Sequence, residues 1–276
     1  DFAIVGTGSV IATAQSGRTQ TQKLVTGPVR DLALVVGPLE HTQRTVDGIT
    51  LNVYVLANHA DGAAKMLNYA EAQVKNLEAR VGAYPFGELD VVDAPGAFGG
   101  IEYPGEVFIG VVEGDPEFFE IATVHEVGHQ WFYSLIGDDQ VLQPWLDEAA
   151  ATYTEVLYYE RERGASAADG MLAYFRDVVK QSSARDLPIG LRVADYPSPD
   201  DYGTIVYLKG ALFFDALRRA MGDETFFRFL QDYFTAYRYG FATSADFQRT
   251  AEQACDCELQ TLFDLWVYKG GAVDLP

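Results

Sequence analysis

The chain has 276 residues, of which 48% are hydrophobic and 13% aromatic, a composition typical of a well-packed globular protein. Its 40 acidic and 20 basic residues give a net charge of −20, which argues against nucleic-acid binding because that binding depends on neutralising phosphates. The charge favours cationic partners at long range, or serves solubility. No apolar run approaches the length that a membrane span needs.

The first part of the chain, up to residue 112, is predicted to be mostly β-structure. β-Branched or alternating runs predict short strands over 2–5, 9–14, 32–36, 49–55, 89–92 and 107–112. An amphipathic stripe predicts one helix over 62–81, with Gly82 after its end. A glycine-rich segment, Gly99-Gly100-Ile101-Glu102-Tyr103, stands between the last two strands.

The chain becomes helical after Asp115. Helices are predicted over 117–136, 145–163, 167–182, 204–221, 223–238, 244–255 and 258–268. Pro116 and Gly137 delimit the first of them, and Thr243 with Asp246 forms a plausible cap for another. This order predicts an α+β fold in which a mixed-sheet lobe precedes a helical lobe, with the site in the cleft between them.

The most informative motif is His125-Glu126-Val127-Gly128-His129. Residues four apart lie on one face of a helix, so both imidazoles can point at one metal ion. Glu126 is rotated by about 100° from His125, away from a ligand position and towards a metal-bound water, where a general base belongs. Two buried histidines without a metal are the alternative interpretation, but buried polar groups need partners.

Glu148, on the next predicted helix, completes a three-ligand zinc site with an open position, which is the arrangement of catalytic zinc. Thr152 and Glu155 share its helix face and are candidates to hold the outer nitrogen of a ligating histidine. For Glu155, a solvated charge near Arg161 is an equally open interpretation. Asp147 is interpreted as a solvated or capping residue.

These residues resemble the gluzincin aminopeptidase family typified by aminopeptidase N. Gly99-Gly100-Ile101-Glu102-Tyr103 resembles the family's Gly-x-Met-Glu-Asn segment, and Tyr207-Leu208-Lys209-Gly210 resembles its Tyr-x-Lys-Gly segment. The end of the chain, 262–266, resembles the last helix of the family's catalytic domain. The resemblance implies a thermolysin-like zinc metallopeptidase fold and a peptide substrate with a free N-terminus.

The resemblance also implies a role for each residue. One Zn²⁺ ion would be held by His125, His129 and Glu148. Glu126 would take a proton from the zinc-bound water and pass it to the leaving amine, and Tyr207 would stabilise the oxyanion. Glu102 would pair with the substrate's α-ammonium, and the backbone at Gly99 and Gly100 would run beside the peptide.

Two alternatives to an aminopeptidase stay open. One is a zinc endopeptidase with the same site, because Tyr103 stands where the family usually has Asn, beside the proposed amine anchor. The other is a non-catalytic peptide-binding domain that retains the fold. Tyr202 is interpreted as a loop or packing tyrosine, and His41 and His59 as surface histidines.

The domain organisation is predicted from length. Residues 1–30 are interpreted as remnant strands of a preceding β-sandwich domain or as a linker, and 31–276 as the catalytic domain, with an α+β lobe over 31–115 and a helical lobe over 116–276. Flanking domains of a larger parent protein are therefore expected. Cys255 and Cys257 are expected to be free thiols because one residue separates them. The cellular compartment is left open.

Overall fold

The computed structural model describes residues 2–96, 98–110, 112 and 114–275. The strands are β1 (Ala3–Gly6), β2 (Ser9–Ser16), β3 (Thr19–Val25), β4 (Leu34–Gly37), β5 (Leu39–Val46), β6 (Ile49–Leu56), β7 (Glu88–Asp93), β8 (Gly100–Tyr103), β9 (Glu106–Ile109), β10 (Ile136–Gly137) and β11 (Gly240–Phe241). Of the predicted strand over 107–112, residue 111 lies outside the described residues.

The helices follow mainly after β9. They are α1 (Ala60–Arg80), α2 (Pro116–Gly128), α3 (Trp145–Arg163), α4 (Ala165–Gln181), α5 (Pro199–Tyr202), α6 (Gly210–Met221), α7 (Asp223–Tyr237), α8 (Ser244–Cys255) and α9 (Gln260–Phe263). Two π-helical segments, Gly203–Lys209 and Asp264–Tyr268, continue α5 and α9. Among the described residues, no helix combines the length and apolarity needed to cross a bilayer. The predicted order, a mixed sheet followed by helices, is confirmed.

The chain divides into two compact units. The first contains Asp1–Lys75 and Tyr84–Gln130, and the second contains Asn76–Ala83 and Trp131–Pro276. The domain boundaries predicted from the sequence stay predictions.

The first unit is built on a mixed five-stranded sheet in the order β5-β6-β7-β9-β8. The central pairs β6–β7 and β7–β9 are parallel, whereas the outer pairs are antiparallel. Leu51, Val53, Val91 and Val107 are completely buried, as expected for the interior of a sheet covered by helices. The strand β8, which carries Glu102, therefore lies at the edge of this sheet.

Three polar side chains form a buried row across the central strands. Asn52, Asp90 and Glu106 are register partners on β6, β7 and β9, and Asn52 Nδ2 donates to Asp90 Oδ1 at 2.8 Å. Burial raises the pKa of Asp90 to about 7. Burial and the neighbouring Asp90 raise the pKa of Glu106 to about 8. The interior of the sheet therefore contains two carboxyl groups whose protonation changes near neutral pH.

Residues 3–37 contain two small sheets outside the main one, β1–β4 and β2–β3. Every residue of β2 is exposed, so its sequence lacks the alternation that burial of one face imposes. The strands β3 and β5 were not predicted, because the polar sequences Thr-Gln-Thr-Gln-Lys and Glu-His-Thr-Gln-Arg within them obscure the β pattern.

The second unit has an aromatic core. Trp145 on α3 contacts Phe213 and Phe247 with ring centroids 5.6 and 5.1 Å apart, and its indole nitrogen donates to Ser244 Oγ at 2.9 Å. The contact with Ser244, at the start of α8, satisfies the only polar atom of this fully buried tryptophan side chain. This packing fixes the first turn of α3, which carries Glu148.

Three helix predictions need correction. The helix predicted over 117–136 ends at Gly128. The helix predicted over 204–221 consists of a π-helical segment and α6, and α5 precedes it. The helix predicted over 258–268 consists of α9 and a π-helical segment. A continuous apolar run does not mark where a buried helix ends. After α2 the chain instead turns through Tyr133, whose φ is 135°, and pairs Phe132 with Ile136.

The expectation of free thiols is wrong, because Cys255 and Cys257 form a disulfide. Asp256, the residue that caps α8, adopts the left-handed conformation with φ 50° and ψ 45°. This reversal brings the two Cα atoms to 5.1 Å, within the range that a disulfide spans. The sequence spacing did not reveal the reversal.

Candidate active site

The helix α2 presents the two histidines of the motif. Asp115 caps its start by accepting the backbone N–H groups of Glu117 and Phe118, both at 3.0 Å, and Pro116 occupies the first turn as predicted. Although α2 ends at Gly128, His129 N still donates to His125 O. The helical spacing is therefore retained, and the two Nε2 atoms lie 3.0 Å apart.

The strand β8 carries Glu102 and passes close to the motif's glutamate. A Cβ atom added to Gly100 would lie 2.4 Å from both Cγ and Oε1 of Glu126. Only glycine therefore leaves room for Glu126 in its present position. At Gly99 an added Cβ would meet the Phe118 ring at 3.1 Å. The glycine-rich segment is thus explained by close packing against α2, a requirement that the sequence did not reveal.

A fully buried glutamine follows His129 directly. Gln130 Nε2 donates to Tyr103 O at 2.9 Å, and Gln130 Oε1 accepts from Gly105 N at 2.8 Å. These two backbone groups flank the Pro104-containing turn that joins β8 to β9. The sequence analysis missed this residue; the available signal was one amide side chain within an apolar run.

The start of α3 carries Glu148. Asp147 accepts the backbone N–H of Glu148 at 2.8 Å through Oδ1 and the Gln140 amide at 2.9 Å through Oδ2. The N-cap of α3 is Pro144, which makes no side-chain cap hydrogen bond. Asp147 lies inside the first turn and is buried, with 1% exposure, so the interpretation of a solvated or capping residue is wrong.

Further along α3, Thr152 donates its hydroxyl to Glu148 O at 2.8 Å, so this proton is used within its own helix. Glu155 is 5% exposed, and the interpretation of a solvated surface charge is wrong.

Tyr207 lies on the π-helical segment Gly203–Lys209. Its ring meets that of Tyr202 edge-on with centroids 5.8 Å apart, and Tyr202 meets Tyr196 in the same way at 5.5 Å. Burial, followed by the negative charge of Glu148, holds the pKa of the Tyr207 hydroxyl well above its usual value. Tyr207 is therefore a neutral hydrogen-bond donor at physiological pH. Tyr202 packs beside it, in agreement with the interpretation as a packing tyrosine.

Lys209 ends the π-helical segment and is completely buried. Its Nζ donates to the carbonyl oxygens of Arg185 and Leu187, both at 2.7 Å, and lies 6.0 Å from the centre of the Trp266 ring. Burial lowers its pKa to about 8, with Asp186 acting in the opposite direction. Lys209 thus ties the segment that carries Tyr207 to the loop that contains residues 185–187.

Two groups of potential metal-ligating atoms occur among the described residues. One contains His125, His129 and Glu148, and the other contains Glu102, Glu126 and His129; within each, the ligand atoms lie within 4.8 Å of one another. Two nitrogens that bind one zinc ion at 2.0–2.1 Å are at most about 4.2 Å apart. The 3.0 Å separation of the histidine nitrogens satisfies this limit, and the first donor set has the chemistry of catalytic zinc.

The remaining histidines serve other purposes. His59 is buried and its Nδ1 lies 2.6 Å from Asp93 Oδ2, so the expectation of a surface position is wrong for it. His41 is exposed, stacks on Tyr54 and bonds Asn52. Neither belongs to a potential metal group among the residues that the structure describes.

The sheet, the helices that follow it and this donor set define the catalytic domain of a zinc metallopeptidase. Residues 115–266 match the family model described as the peptidase family M1 domain. The chain therefore belongs to peptidase family M1, and the resemblance to the family of aminopeptidase N is confirmed.

Individual relatives agree. The chain is 30% identical over 223 residues to leucine aminopeptidase 2 of Emericella nidulans, a match that covers 75% of this chain and 36% of that protein. It is 27% identical over 261 residues to aminopeptidase N of Streptomyces lividans, covering 87% and 30%. The chain thus spans about a third of the length of these curated relatives.

A solved structure shares the fold. The M1 zinc metallopeptidase from Deinococcus radiodurans superimposes with a TM-score of 0.86 at 21% identity, and the match covers 100% of this chain and 63% of that one.

Proposed function

We propose that this chain hydrolyses the peptide bond that follows a free N-terminal residue, with one zinc ion held by His125, His129 and Glu148. When bound, zinc supplies Lewis acidity and lowers the pKa of water. Glu126 removes a proton from the attacking water and delivers it to the leaving amine. The neutral Tyr207 hydroxyl donates a hydrogen bond to the developing oxyanion.

The observation that carries the aminopeptidase assignment is the grouping of Glu102 with Glu126 and His129, whose ligand atoms lie within 4.8 Å of one another. In a substrate, the α-ammonium of the first residue is only two bonds from the carbonyl carbon that water attacks. A carboxylate that binds this ammonium must therefore stand close to the general base. Glu102 meets this condition, and a peptide extending further towards its N-terminus would meet the carboxylate instead of pairing with it.

The relatives support the same substrate class. Two of them are named aminopeptidases, and variants of the two-domain M1 zinc metallopeptidase have been crystallised with a Tyr-Ser-Ala substrate and with L-arginine. A tripeptide with a free amine and a free amino acid are the substrate and the product that an aminopeptidase handles.

The first test separates the roles of the three proposed site glutamates. Glu148→Gln should lose zinc, whereas Glu102→Gln and Glu126→Gln should each retain about one zinc ion per chain. Glu126→Gln should lower kcat by about 10²–10⁴-fold. Glu120→Gln, which changes another buried glutamate of α2, is the matched control. Full activity of Glu126→Gln, or loss of zinc from Glu102→Gln, would refute these assignments.

The second test addresses the free amine. The wild type should hydrolyse peptides with a free N-terminus faster than the same peptides with an acetylated N-terminus. Glu102→Gln should reduce this difference in rate. Equal rates on both substrates would favour an endopeptidase, and binding of peptides without hydrolysis by zinc-loaded protein would favour a non-catalytic binding domain.

A further inference from the structure

We propose that Gln130 is a positioning residue for the amine anchor: its side-chain amide clamps the β8–β9 turn to the end of the motif helix and so fixes where Glu102 stands. This inference rests on the proposed function, in which Glu102 binds the substrate's α-ammonium. It adds a determinant of amine recognition that does not itself touch the substrate.

The geometry of the clamp is specific. Gln130 Nε2 bonds Tyr103 O and Gln130 Oε1 bonds Gly105 N, at 2.9 and 2.8 Å. A carbonyl only accepts and a backbone N–H only donates, so these partners determine which end of the amide is oxygen. The side chain is completely buried, and its two hydrogen bonds to the turn lie on the two sides of Pro104. Its Oε1 also accepts from the Tyr84 hydroxyl at 3.5 Å.

Besides the Gln130 amide, the clamped turn is held within the sheet, where Gly105 O accepts from Asp90 N at 2.9 Å. Among the described residues, β8 pairs only with β9 and forms the edge of the sheet, so one side of its backbone has no strand to hold it. Pro104 has no N–H to donate. Gly105, at φ 72°, reverses the chain. Glu102 is adjacent to Tyr103, so a shift of the turn shifts the anchor.

The clamp also joins the anchor to the metal site by a short path of covalent bonds and one hydrogen bond. Gln130 follows His129, and Tyr103 follows Glu102. The hydrogen bond from Gln130 to Tyr103 therefore joins the sequence neighbours of His129 and Glu102, two residues of one potential metal-ligating group. Misplacement of a binding group by about 1 Å is enough to cost roughly 10²-fold in rate. Loss of the clamp should therefore weaken recognition of the free amine.

A purely structural glutamine would behave differently. It would lower stability, and it would lower the rates on free and blocked substrates by the same factor. A positioning residue changes the ratio between these rates, because only the free amine uses Glu102. The ratio, together with the separation of KM from kcat, therefore distinguishes the two roles.

The experiment compares the zinc-loaded wild type with the variant Gln130→Met. This substitution keeps the side-chain volume and removes both hydrogen bonds to the β8–β9 turn. For peptides with a free N-terminus we expect KM to rise by about 10-fold or more, with a smaller change in kcat. Rates on acetylated peptides should stay within about twofold to threefold. The preference for the free amine, measured as the ratio of the rates on free and acetylated peptides, should therefore fall by about tenfold.

Gln73→Met is the matched control. Gln73 is also completely buried, and its Nε2 donates to Val124 O at 3.1 Å, so it supports α2 at a different point from the turn. It should lose stability and keep the wild-type preference. An unchanged preference in Gln130→Met, or an equal change in both variants, would overturn the proposal.

A second variant and a second measurement keep the inference testable if Gln130→Met does not fold. Gln130→Glu keeps an acceptor for Gly105 N–H and loses the donor to Tyr103 O, so it should change the preference in the same direction by a smaller factor. Hydrogen exchange at the Gly105 amide should accelerate by about tenfold or more in Gln130→Met, and by less in Gln130→Glu because the acceptor for this amide is retained.

The exchange measurement also separates this inference from the proposed function. If the wild type shows no preference for a free amine, the aminopeptidase assignment fails, and the Gly105 exchange rate alone decides whether the clamp exists. Unchanged exchange in Gln130→Met would then refute the clamp.

Discussion

The two segments that supply the proposed chemistry are held in different ways. The motif helix α2 is a regular helix whose residues face a strand of the same unit, and its glutamate fits only because Gly100 has no side chain. The Tyr207 segment is π-helical and is tied to a loop by the buried ammonium of Lys209. One segment is positioned by close packing and the other by a buried charge that bonds two carbonyl groups.

Because they are held differently, the two segments should be disrupted by different substitutions. A close-packed contact fails when an atom is added, whereas a charged tether fails when its hydrogen bonds are removed or its proton is lost. π-Helical turns are rare and recur at functional sites. The Tyr207 segment is therefore expected to depend more on its tether than α2 depends on any single hydrogen bond.

Among the variants that compare the two segments, the largest effect is expected from Tyr207→Phe, which removes one oxygen atom from the π-helical segment. The kcat should fall by about 10²–10³-fold while KM changes little, because the hydroxyl acts on the oxyanion and not on the bound substrate. Steady-state kinetics with zinc-loaded protein measure this. Tyr174→Phe, at an exposed tyrosine, is the control, and a change in kcat below about twofold for Tyr207→Phe would remove Tyr207 from the mechanism.

Gly100→Ala tests the close-packed segment. The added methyl group would lie 2.4 Å from Glu126, so the glutamate or the strand must move, and kcat should fall by about 10²-fold. Zinc content should not change, because no proposed ligand is altered. Gly170→Ala, at a helical position with open space, should leave activity intact and raise stability by about 0.5–1 kcal/mol. Equal activities of the two variants would contradict the packing argument.

Lys209→Met tests the charged tether. Two buried carbonyl groups lose their donor, and we expect a loss of about 2–4 kcal/mol in the free energy of unfolding and a roughly tenfold fall in kcat/KM. Lys269→Met, at a lysine side chain that is 72% exposed, should change stability by less than about 0.5 kcal/mol. The check is denaturant unfolding combined with kinetics.

A double variant sharpens the result for the tether. If Lys209 acts through Tyr207, Lys209→Met should lower kcat much less in a Tyr207→Phe background than in the wild type. Full additivity would show that the lysine supports the fold without positioning the tyrosine.

The smallest effect on activity is expected from Glu106→Gln, which changes the pH dependence of stability. The pKa values of Asp90 and Glu106, about 7 and about 8, lie above their ordinary values of 3.8 and 4.5. The folded state therefore binds more protons than the unfolded state between about pH 4 and 8, and stability falls as the pH rises through this window.

Because glutamine is neutral at every pH, Glu106→Gln should match the wild type near pH 4.5 and exceed its unfolding free energy by roughly 1–3 kcal/mol at pH 8.5. Urea unfolding at both pH values measures this. Glu40→Gln, at an exposed glutamate of β5, should show no such dependence. A constant difference between Glu106→Gln and wild type at all pH values would contradict burial as the cause.

Several elements were predictable because their causes are local. The helices α3 and α8 begin and end where the sequence placed them, and Thr243 with Asp246 forms the predicted capping box. The strands β6 and β7 were recognisable from β-branched apolar runs. In contrast, β3 and β5 carry mostly polar residues, and an exposed or edge strand leaves little periodic pattern to read.

The sequence by itself determined the family, the order of sheet and helices, and the spacing of His125 and His129, because helical periodicity and motif spacing are properties of neighbouring residues. Tertiary structure decided the end of α2, the contact of Gly100 with Glu126, the amide clamp of Gln130, the tether of Lys209 and the Cys255–Cys257 bond. Each of these depends on a close approach or a backbone reversal that residue types and spacing do not specify, since the same glutamine or lysine is exposed in one fold and buried in another.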